Sequence, residues 1–297
     1  MNGRSTLVSG GTGFVGRFIV ENLLAAGHHV IVMGRTPPQA GFFSKPVQFV
    51  EGRLEPDNNH AAAFGGIDFF VHCAFAHLPG KFRGGEGADP EAFRRKNLDG
   101  SIALFEAARA AKVKRAVFLS SRAVYGKQPA GVMLTEETVP CPDTLYGEVK
   151  LATEQYLSGM GTAGFCGTSL RVTGVYGPAG RGCEHKWESL FRDYLTGRPI
   201  EPRVATEVLG DDVAAAVRLV LEGPAAKVCG EVFNVSDIVV DRRDILAIVR
   251  EGTGSTNPLP PAADRRALSV PATDQIRALG WRPGGAALLR EFIRSEM

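Results

Sequence analysis

The sequence predicts an α/β protein: a doubly wound parallel sheet carrying a smaller C-terminal α/β cap. Three observations lead there. Apolar runs alternate with helical segments through the first 172 residues. The first strand-to-helix turn reads VSGGTGFVGR and spaces Gly10, Gly13 and Gly16 three residues apart. After Arg171 the rhythm breaks into Gly- and Pro-rich stretches such as GVYGPAGRG, TGRP and NPLPP. Strictly alternating β and α elements imply parallel strands joined by right-handed crossovers. Residues 1–172 are therefore assigned to the sheet domain, with about 204–235 returning to it; 173–203 and 236–297 are assigned to the cap.

The elements follow in order. Thr6–Ser9 reads as a strand, and Phe14–Ala26 as a helix in which Phe14, Phe18 and Leu24 recur at helical spacing before Gly27 ends it. Val30–Met33, Val47–Val50, Phe69–Cys73 and Ala116–Ser120 are apolar runs without polar alternation, as strands buried on both faces require. Asp89-Pro90 starts a long amphipathic helix predicted to reach Ala111. A helix from about Thr144 carries YGEVKLATEQYL, and Phe165–Val172 is the next strand. Pro258–Pro261 reads as a stiff connector within the cap.

Composition bounds the function. Of 297 residues, 22% are charged and 44% apolar, with a net charge of +2 spread along the chain, so no basic surface for nucleic acid is expected. Five cysteines (Cys73, Cys141, Cys166, Cys183, Cys229) lack CxxC spacing, so neither a metal site nor a disulfide framework is expected. No apolar run is long enough to span a membrane. A soluble, reduced, cytoplasmic protein is the expectation.

The glycine turn has a chemical reading. A dinucleotide pyrophosphate needs backbone amides at the positive end of a helix and no bulky side chain in the way. Gly10 permits the tight turn, Gly13 the approach of phosphate, and Gly16 the packing of helix on strand. The second strand ends VIVMGR, so Gly34 and Arg35 occupy the corner where an acidic residue would bind the ribose of NAD. NADP(H) is therefore the expected cofactor, with NAD(H) the alternative.

A second constellation lies downstream. Tyr146 and Lys150 in LYGEVK share one helix face, and FLSSRAVYG closes a strand with Ser120 and Ser121. Removing a tyrosine proton at neutral pH costs on the order of 4 kcal/mol; an ammonium alongside lowers that cost. Tyr146 could then exchange a proton with a secondary alcohol as hydride leaves its carbon. Ser121 would hydrogen-bond the substrate oxygen, and Lys150 would also hold the nicotinamide ribose.

Taken together, VSGGTGFVG, FFVHCAFA, NLDGS, FLSSRAVYG, LYGEVK, LRVTGVYGP, DDVAAAV, EVFNVS and ALGWRP resemble, in this order, the extended short-chain dehydrogenase/reductase family, also called the NAD-dependent epimerase/dehydratase family. The resemblance implies an NAD(P)-binding Rossmann domain, a substrate cap and hydride transfer at an alcohol or ketone carbon, usually of a nucleotide-activated sugar. It implies catalytic roles for Ser121, Tyr146 and Lys150. It implies cofactor contacts from Gly10, Thr12, Gly13, Phe14, Val15, Gly16, Gly34, Arg35, Leu54, Ala74 and Asn97, besides Tyr146 and Lys150. His77, Arg122, Thr173, Trp187 and Arg203 are candidate substrate contacts, and no metal is implied. A homodimer through the helices Asp89–Ala111 and Thr144–Gly159 is also implied.

Departures narrow the reading. Relatives that dehydrate sugars carry an Asp-Glu pair after the catalytic Ser/Thr; here Arg122-Ala123 stand there, which argues against dehydration. Arg53 stands where an aspartate commonly faces the adenine. Gly174 replaces an asparagine common in members that grip a UDP-sugar. The stretch from Pro199 to Asp212 is short, and Arg203 is its one substitute for a diphosphate-binding arginine. Epimerase and 4-ketoreductase both remain open, with an NADPH-dependent reductase of a non-sugar ketone or aldehyde as the alternative and a non-catalytic NAD(P)-binding sensor as the third reading. His72, inside an apolar strand, reads as a packed, hydrogen-bonded residue. His77 and His185 are expected to border the pocket, without the spacing of metal ligands; Trp187 and Trp281 fall in the cap, where core packing is the first expectation for each and a place flanking substrate the alternative for Trp187.

Overall fold

The computed structural model describes residues 3–78, 85–161, 164–180 and 183–297. Strands β1 (Ser5–Ser9), β2 (His29–Gly34), β3 (Gln48–Glu51), β4 (Phe69–His72) and β5 (Arg115–Ser121) follow the predicted runs to within a residue or two. Helix α1 (Phe14–Ala25) follows β1. The predicted long helix is three pieces: α2 (Pro90–Arg94), a π-turn over Arg95–Asp99, and α3 (Gly100–Ala110). Asp89 caps it by accepting from the Ala92 amide. A short strand β6 (Met133–Leu134) precedes α4 (Leu145–Gly159), and β7 (Cys166–Val172) follows.

The remaining elements are β8 (Gly174–Tyr176), α5 (Glu188–Leu195), β9 (Val204–Leu209), α6 (Gly210–Glu222), α7 (Ala225–Val228) and β10 (Val232–Val235). The chain ends with β11 (Ile238–Asp241), α8 (Arg242–Thr253), β12 (Val270–Pro271), α9 (Asp274–Ala278) and α10 (Gly285–Ser295).

Seven strands form the main sheet in the order β10-β7-β5-β4-β1-β2-β3, all parallel. The chain winds outward from β1 in one direction, then restarts at β4 in the other. Ligands of such sheets bind at that reversal, beyond the carboxyl ends of the strands. One face is covered by α1 and α6, whose Phe18, Leu23, Val213 and Val217 join Val8, Val117 and Leu119 in one core. The other is covered by α3 and α4, where Leu104, Phe105 and Leu157 pack on Leu7, Phe70 and Phe118. A separate sheet, β11-β9-β8, backs a third core in which Trp187, Phe191, Leu246, Phe292 and Ile293 meet Tyr176. Thus β10 and α6 belong with the main sheet, while β9 lies in the smaller one.

One expectation from the cysteines is corrected. Cys166, at the start of β7, is disulfide-bonded to Cys229, with Cα atoms 4.9 Å apart. The two are 63 residues apart in sequence, and only the adjacency of β7 and β10 brings them together. They line a groove of about 790 Å³ with Arg4, Asp68 and Arg115 at the amino ends of the strands, opposite the edge where ligands bind. Among the described residues, no helix is long and apolar enough to cross a membrane.

Candidate active site

The glycine turn closes directly over the reversal point. Gly10 has φ +72° and donates its amide to Met33 O at 3.0 Å, bending the chain over β2. A Cβ on Gly10 would lie 2.7 Å from the backbone of Ala74, and one on Gly16 would lie 2.1 Å from Gly10 O. Neither position tolerates a side chain. Gly13, by contrast, caps α1 with nothing closer than Gly10 O at 3.2 Å from its would-be Cβ. Thr12, Gly13 and Phe14 are exposed there, and no acidic side chain occupies the first turn of α1. These features fit a dinucleotide: an open amide seat at a helix N-terminus, free of competing negative charge.

The other expected cofactor residues lie on the segments that follow β1, β2, β3 and β4. Ala74 faces Gly10, Val15 packs on the sheet core, and a Cβ on Gly34 would meet Phe49 at 3.7 Å and Thr12 Oγ1 at 3.9 Å. Leu54 lends its backbone to the start of α3, within 2.9 Å of where a Cβ on Gly100 would sit. Asn97 is buried on the π-turn, and its amide group is fully engaged: Oδ1 accepts from Ala76 N at 2.7 Å, and Nδ2 donates to Ala76 O and Phe93 O. It shapes the loop after β4 with the functional groups a contact to cofactor would need. Arg35 is exposed on the loop after β2.

Ser121, Tyr146 and Lys150 converge at the carboxyl end of β5. Thr144 caps α4 by accepting from Gly147 N at 3.1 Å, which puts Tyr146 in the first turn. Gly147 makes the approach possible, since its Cβ would lie 2.6 Å from Ala123 O. The helix therefore presses onto the turn that follows Ser121. Ser121 Oγ accepts from Ala123 N, and its hydrogen bond with Tyr146 pulls the phenol's pKa down against the larger effect of burial, which pushes it up.

Lys150 is 4% exposed. Its Nζ donates to Leu119 O at 2.6 Å and lies 4.3 Å from the Phe75 ring centroid and 4.6 Å from that of Phe118. Burial lowers its pKa from 10.5 to about 7, with Cys73 and Glu154 opposing the fall. The expectation of a phenol acidified by Lys150 is thereby corrected for the polypeptide by itself. Nζ is 5.8 Å from the Tyr146 ring centroid, directed at a strand carbonyl and two phenyl faces, and the phenol's pKa is raised.

Three supports surround these groups; the sequence reading missed the first two and anticipated His72 of the third as a packed, hydrogen-bonded residue. Phe75 packs edge-on against Tyr146 at 5.0 Å while its face carries the Lys150 amine, so one ring spaces the phenol and the amine. Glu154, one turn beyond Lys150, forms a buried pair with Arg171 of β7, with Nη2 to Oε2 at 2.8 Å, and pins the middle of α4 to the sheet. The third support is a chain through His72. Ser101 Oγ donates to Asn97 O, so it accepts from His72 Nε2–H at 2.8 Å; Nδ1 then accepts from Ser9 Oγ at 2.7 Å. Burial drives this imidazole to a pKa of about 3, which keeps it neutral. The polar spacing i to i+4 signalled Glu154; nothing local signalled Phe75.

The expected substrate contacts divide. Thr173 is buried at the end of β7, where its Oγ1 reaches Val235 O at 3.5 Å. Arg122 follows Ser121 and donates to Ser269 O at 2.8 Å, joining the β5 turn to the cap. His77 is exposed on the loop after β4, and Arg203 is exposed before β9. Trp187 takes the core role expected first and not the substrate contact: it is buried in the cap core, stacked on Tyr176 with centroids 5.4 Å apart, where its large apolar surface is satisfied. His185 is likewise a core residue, edge-on to Phe191 and Phe292.

An amide seat at the reversal of a parallel sheet, with Ser, Tyr and Lys gathered beside it, defines a dinucleotide-dependent enzyme of the Rossmann type. Residues 6–236 match the model of the NAD dependent epimerase/dehydratase family, and the chain belongs to that family. It is 33% identical over 219 residues to a UDP-glucose 4-epimerase of Streptomyces lividans, a match covering 69% of this chain and 63% of that one. The structure is similar to that of the Thermus thermophilus UDP-glucose 4-epimerase in complex with NAD (30% identity, TM-score 0.76, covering 98% of this chain and 96% of that one). It is also similar to MoeE5 in complex with UDP-glucuronic acid and NAD (27% identity, TM-score 0.78, covering 97% and 96%). Both solved relatives hold NAD, which overturns the expected preference for NADP. The physical reason lies in the corner itself: one exposed arginine beside Gly34 is not a built phosphate site, since exposed charge pairs contribute little, and a guanidinium can stack on an adenine as readily as it pairs with phosphate.

Proposed function

We propose that this chain is an NAD-dependent epimerase that inverts a secondary carbinol carbon of a nucleotide sugar. One observation carries the reading: Ser121, Tyr146 and Lys150 meet at the strand edge beside an open amide seat, and Arg122-Ala123 leave no acid–base pair for dehydration. NAD, when bound, supplies the acceptor and donor of hydride. The protein supplies everything else. The amides of the glycine turn neutralise the pyrophosphate. Ser121 donates to the substrate oxygen and steadies its developing charge. Tyr146 takes and returns the proton at its phenol oxygen. Lys150 holds the cofactor ribose and, once protonated, favours the phenolate. Phe75 excludes water from the space between phenol and amine. The chain acts as a homodimer through α3 and α4, whose exposed side forms a groove lined by Glu106, Arg109, Gln155 and Tyr156.

The test is product analysis. Protein denatured after purification should release NAD(H), and the native enzyme should interconvert UDP-glucose and its 4-epimer without added reductant. Tyr146→Phe should retain NAD and lose turnover by about 10²–10⁴-fold. Wild-type turnover in that variant, or no interconversion by NAD-loaded enzyme, refutes the proposal.

A further inference from the structure

The amino edge of the main sheet carries a sulfur site remote from the glycine turn and the catalytic residues. Cys229 is exposed between α7 and β10, while its disulfide partner Cys166 is 8% exposed at the start of β7. Both line the groove of about 790 Å³ at the amino ends of the strands. A nucleophile entering that groove reaches Cys229 more readily than Cys166, which makes Cys166 the leaving group.

Charge favours that direction of attack. Cys166 is the register partner of Arg115 in β5, so the two side chains leave the sheet on the same face. Arg115 is held there by donating to Val220 O at 3.2 Å and Gly223 O at 2.5 Å. A guanidinium beside Cys166 stabilises the departing thiolate. Arg4 lies over the Phe69 ring at 5.0 Å; burial first, and the field of Arg4 second, lower the pKa of Arg115, so the two guanidinium groups are neighbours. The carboxylates of the groove are engaged elsewhere. Asp68 pairs with Lys114, and Glu222 pairs with Arg218 and hydrogen-bonds His28. Among the described residues neither Arg4 nor Arg115 is ion-paired with a carboxylate, which leaves the groove a positive excess.

The backbone keeps the two cysteines opposed in either redox state. Gly230 N donates to Gly167 O at 2.8 Å, Ser169 N to Glu231 O at 3.1 Å, and Thr168 Oγ1 to Val228 O at 2.6 Å. With these hydrogen bonds in place, reclosure needs no search through a 63-residue loop.

We propose that Cys166–Cys229 is a reversible thiol-exchange site, modified at Cys229 by anionic low-molecular-weight thiols, of the class of a cysteine peptide with free carboxylates. The thiolate RS− attacks Cys229 Sγ and forms a mixed disulfide. The Cys166–Cys229 bond breaks, and its electron pair leaves on Cys166 Sγ, which takes a proton from solvent. A second thiolate attacks the sulfur of the bound R group and releases Cys229 as a thiol together with RS–SR. Two RSH are oxidised as one protein disulfide is reduced, and RS–SR drives the same steps backwards.

Glutathione is the probe, with cysteamine as its cationic counterpart. The folded wild-type chain is incubated with each at equal thiolate concentration, quenched in acid at intervals and mapped by peptide mass spectrometry. Glutathione should open the disulfide without denaturant, about threefold or more faster than cysteamine, and high salt should remove that advantage. Arg4→Glu, at an exposed position, should reverse the order of the two thiols. Glutathione disulfide should modify Cys229 in Cys166→Ser about tenfold or more faster than it modifies Cys166 in Cys229→Ser. A disulfide that opens only once the chain is unfolded overturns the proposal. So does a glutathione-to-cysteamine ratio that neither salt nor Arg4→Glu changes, or equal thiolation of the two serine variants. The wild-type and Arg4→Glu readouts keep both cysteines, so they decide the matter even where a serine variant fails to fold.

Discussion

Lys150 offers the sharpest test of how burial shapes this site. The perturbation is Lys150→Met, which keeps length and apolar surface but removes the titratable amine. In the fold the amine's pKa falls from 10.5 to about 7 because it is desolvated. Each tenfold change in proton affinity is worth about 1.4 kcal/mol, so at pH 7 holding the amine in the folded site costs roughly 4 kcal/mol. The hydrogen bond to Leu119 O and the contacts with Phe75 and Phe118 return part of this, on the order of 2 kcal/mol. The variant should therefore be more stable than wild type at pH 7 by about 2 kcal/mol, and catalytically dead. The sign with pH follows from linkage. Between pH 7 and 10.5 the unfolded chain holds a proton that the folded one has released, so the wild type gains stability as pH rises through that window. Cys73, pushed up from 9.0 to about 12, works the other way above pH 9, where the unfolded thiol loses its proton and the folded one keeps it; both proteins carry it, so it cancels in the comparison. Urea unfolding of both proteins at pH 7 and pH 10 measures the difference. A variant less stable than wild type at pH 7, or a gap that fails to shrink by pH 10, refutes the reasoning.

The other predictions follow from packing and covalent geometry. Gly16→Ala would drive a methyl against Gly10 O, so NAD affinity should fall by at least tenfold and stability by about 1–3 kcal/mol, read by calorimetry and melting. Cys229→Ser opens a 63-residue loop and should cost ~4 kcal/mol on a chain-entropy basis, with the difference from wild type vanishing when both are unfolded in excess dithiothreitol.

Much of this molecule is written locally. The apolar runs at Val30–Met33 and Ala116–Ser120 announce strands buried on both faces, and Asp89-Pro90 and Thr144 announce helix starts. The glycine turn and the Tyr146–Lys150 pair are legible for the same reason. GxxGxxG and YxxxK each act within two turns of backbone, so their chemistry needs only local geometry. Where the reading failed, the missing information was distant in sequence. Lys150's amine looked like a neighbour of the phenol, but its orientation is set by Leu119 O and by Phe75, a residue 75 positions earlier in an unpatterned loop. Arg35 looked like a phosphate ligand, but whether a corner is a pocket depends on what surrounds it.

By itself, then, the order of residues determined the parallel sheet, the glycine turn at the start of α1 and the placing of Tyr146 and Lys150 on one face of α4, because periodicity, turns and helical spacing are properties of adjacent residues. The tertiary structure alone decided the pairing of Cys166 with Cys229, the Arg171–Glu154 anchor and the burial that depresses Lys150. Each of these depends on which strands lie side by side and how much water they exclude, and crossover geometry sets both only once the sheet has assembled.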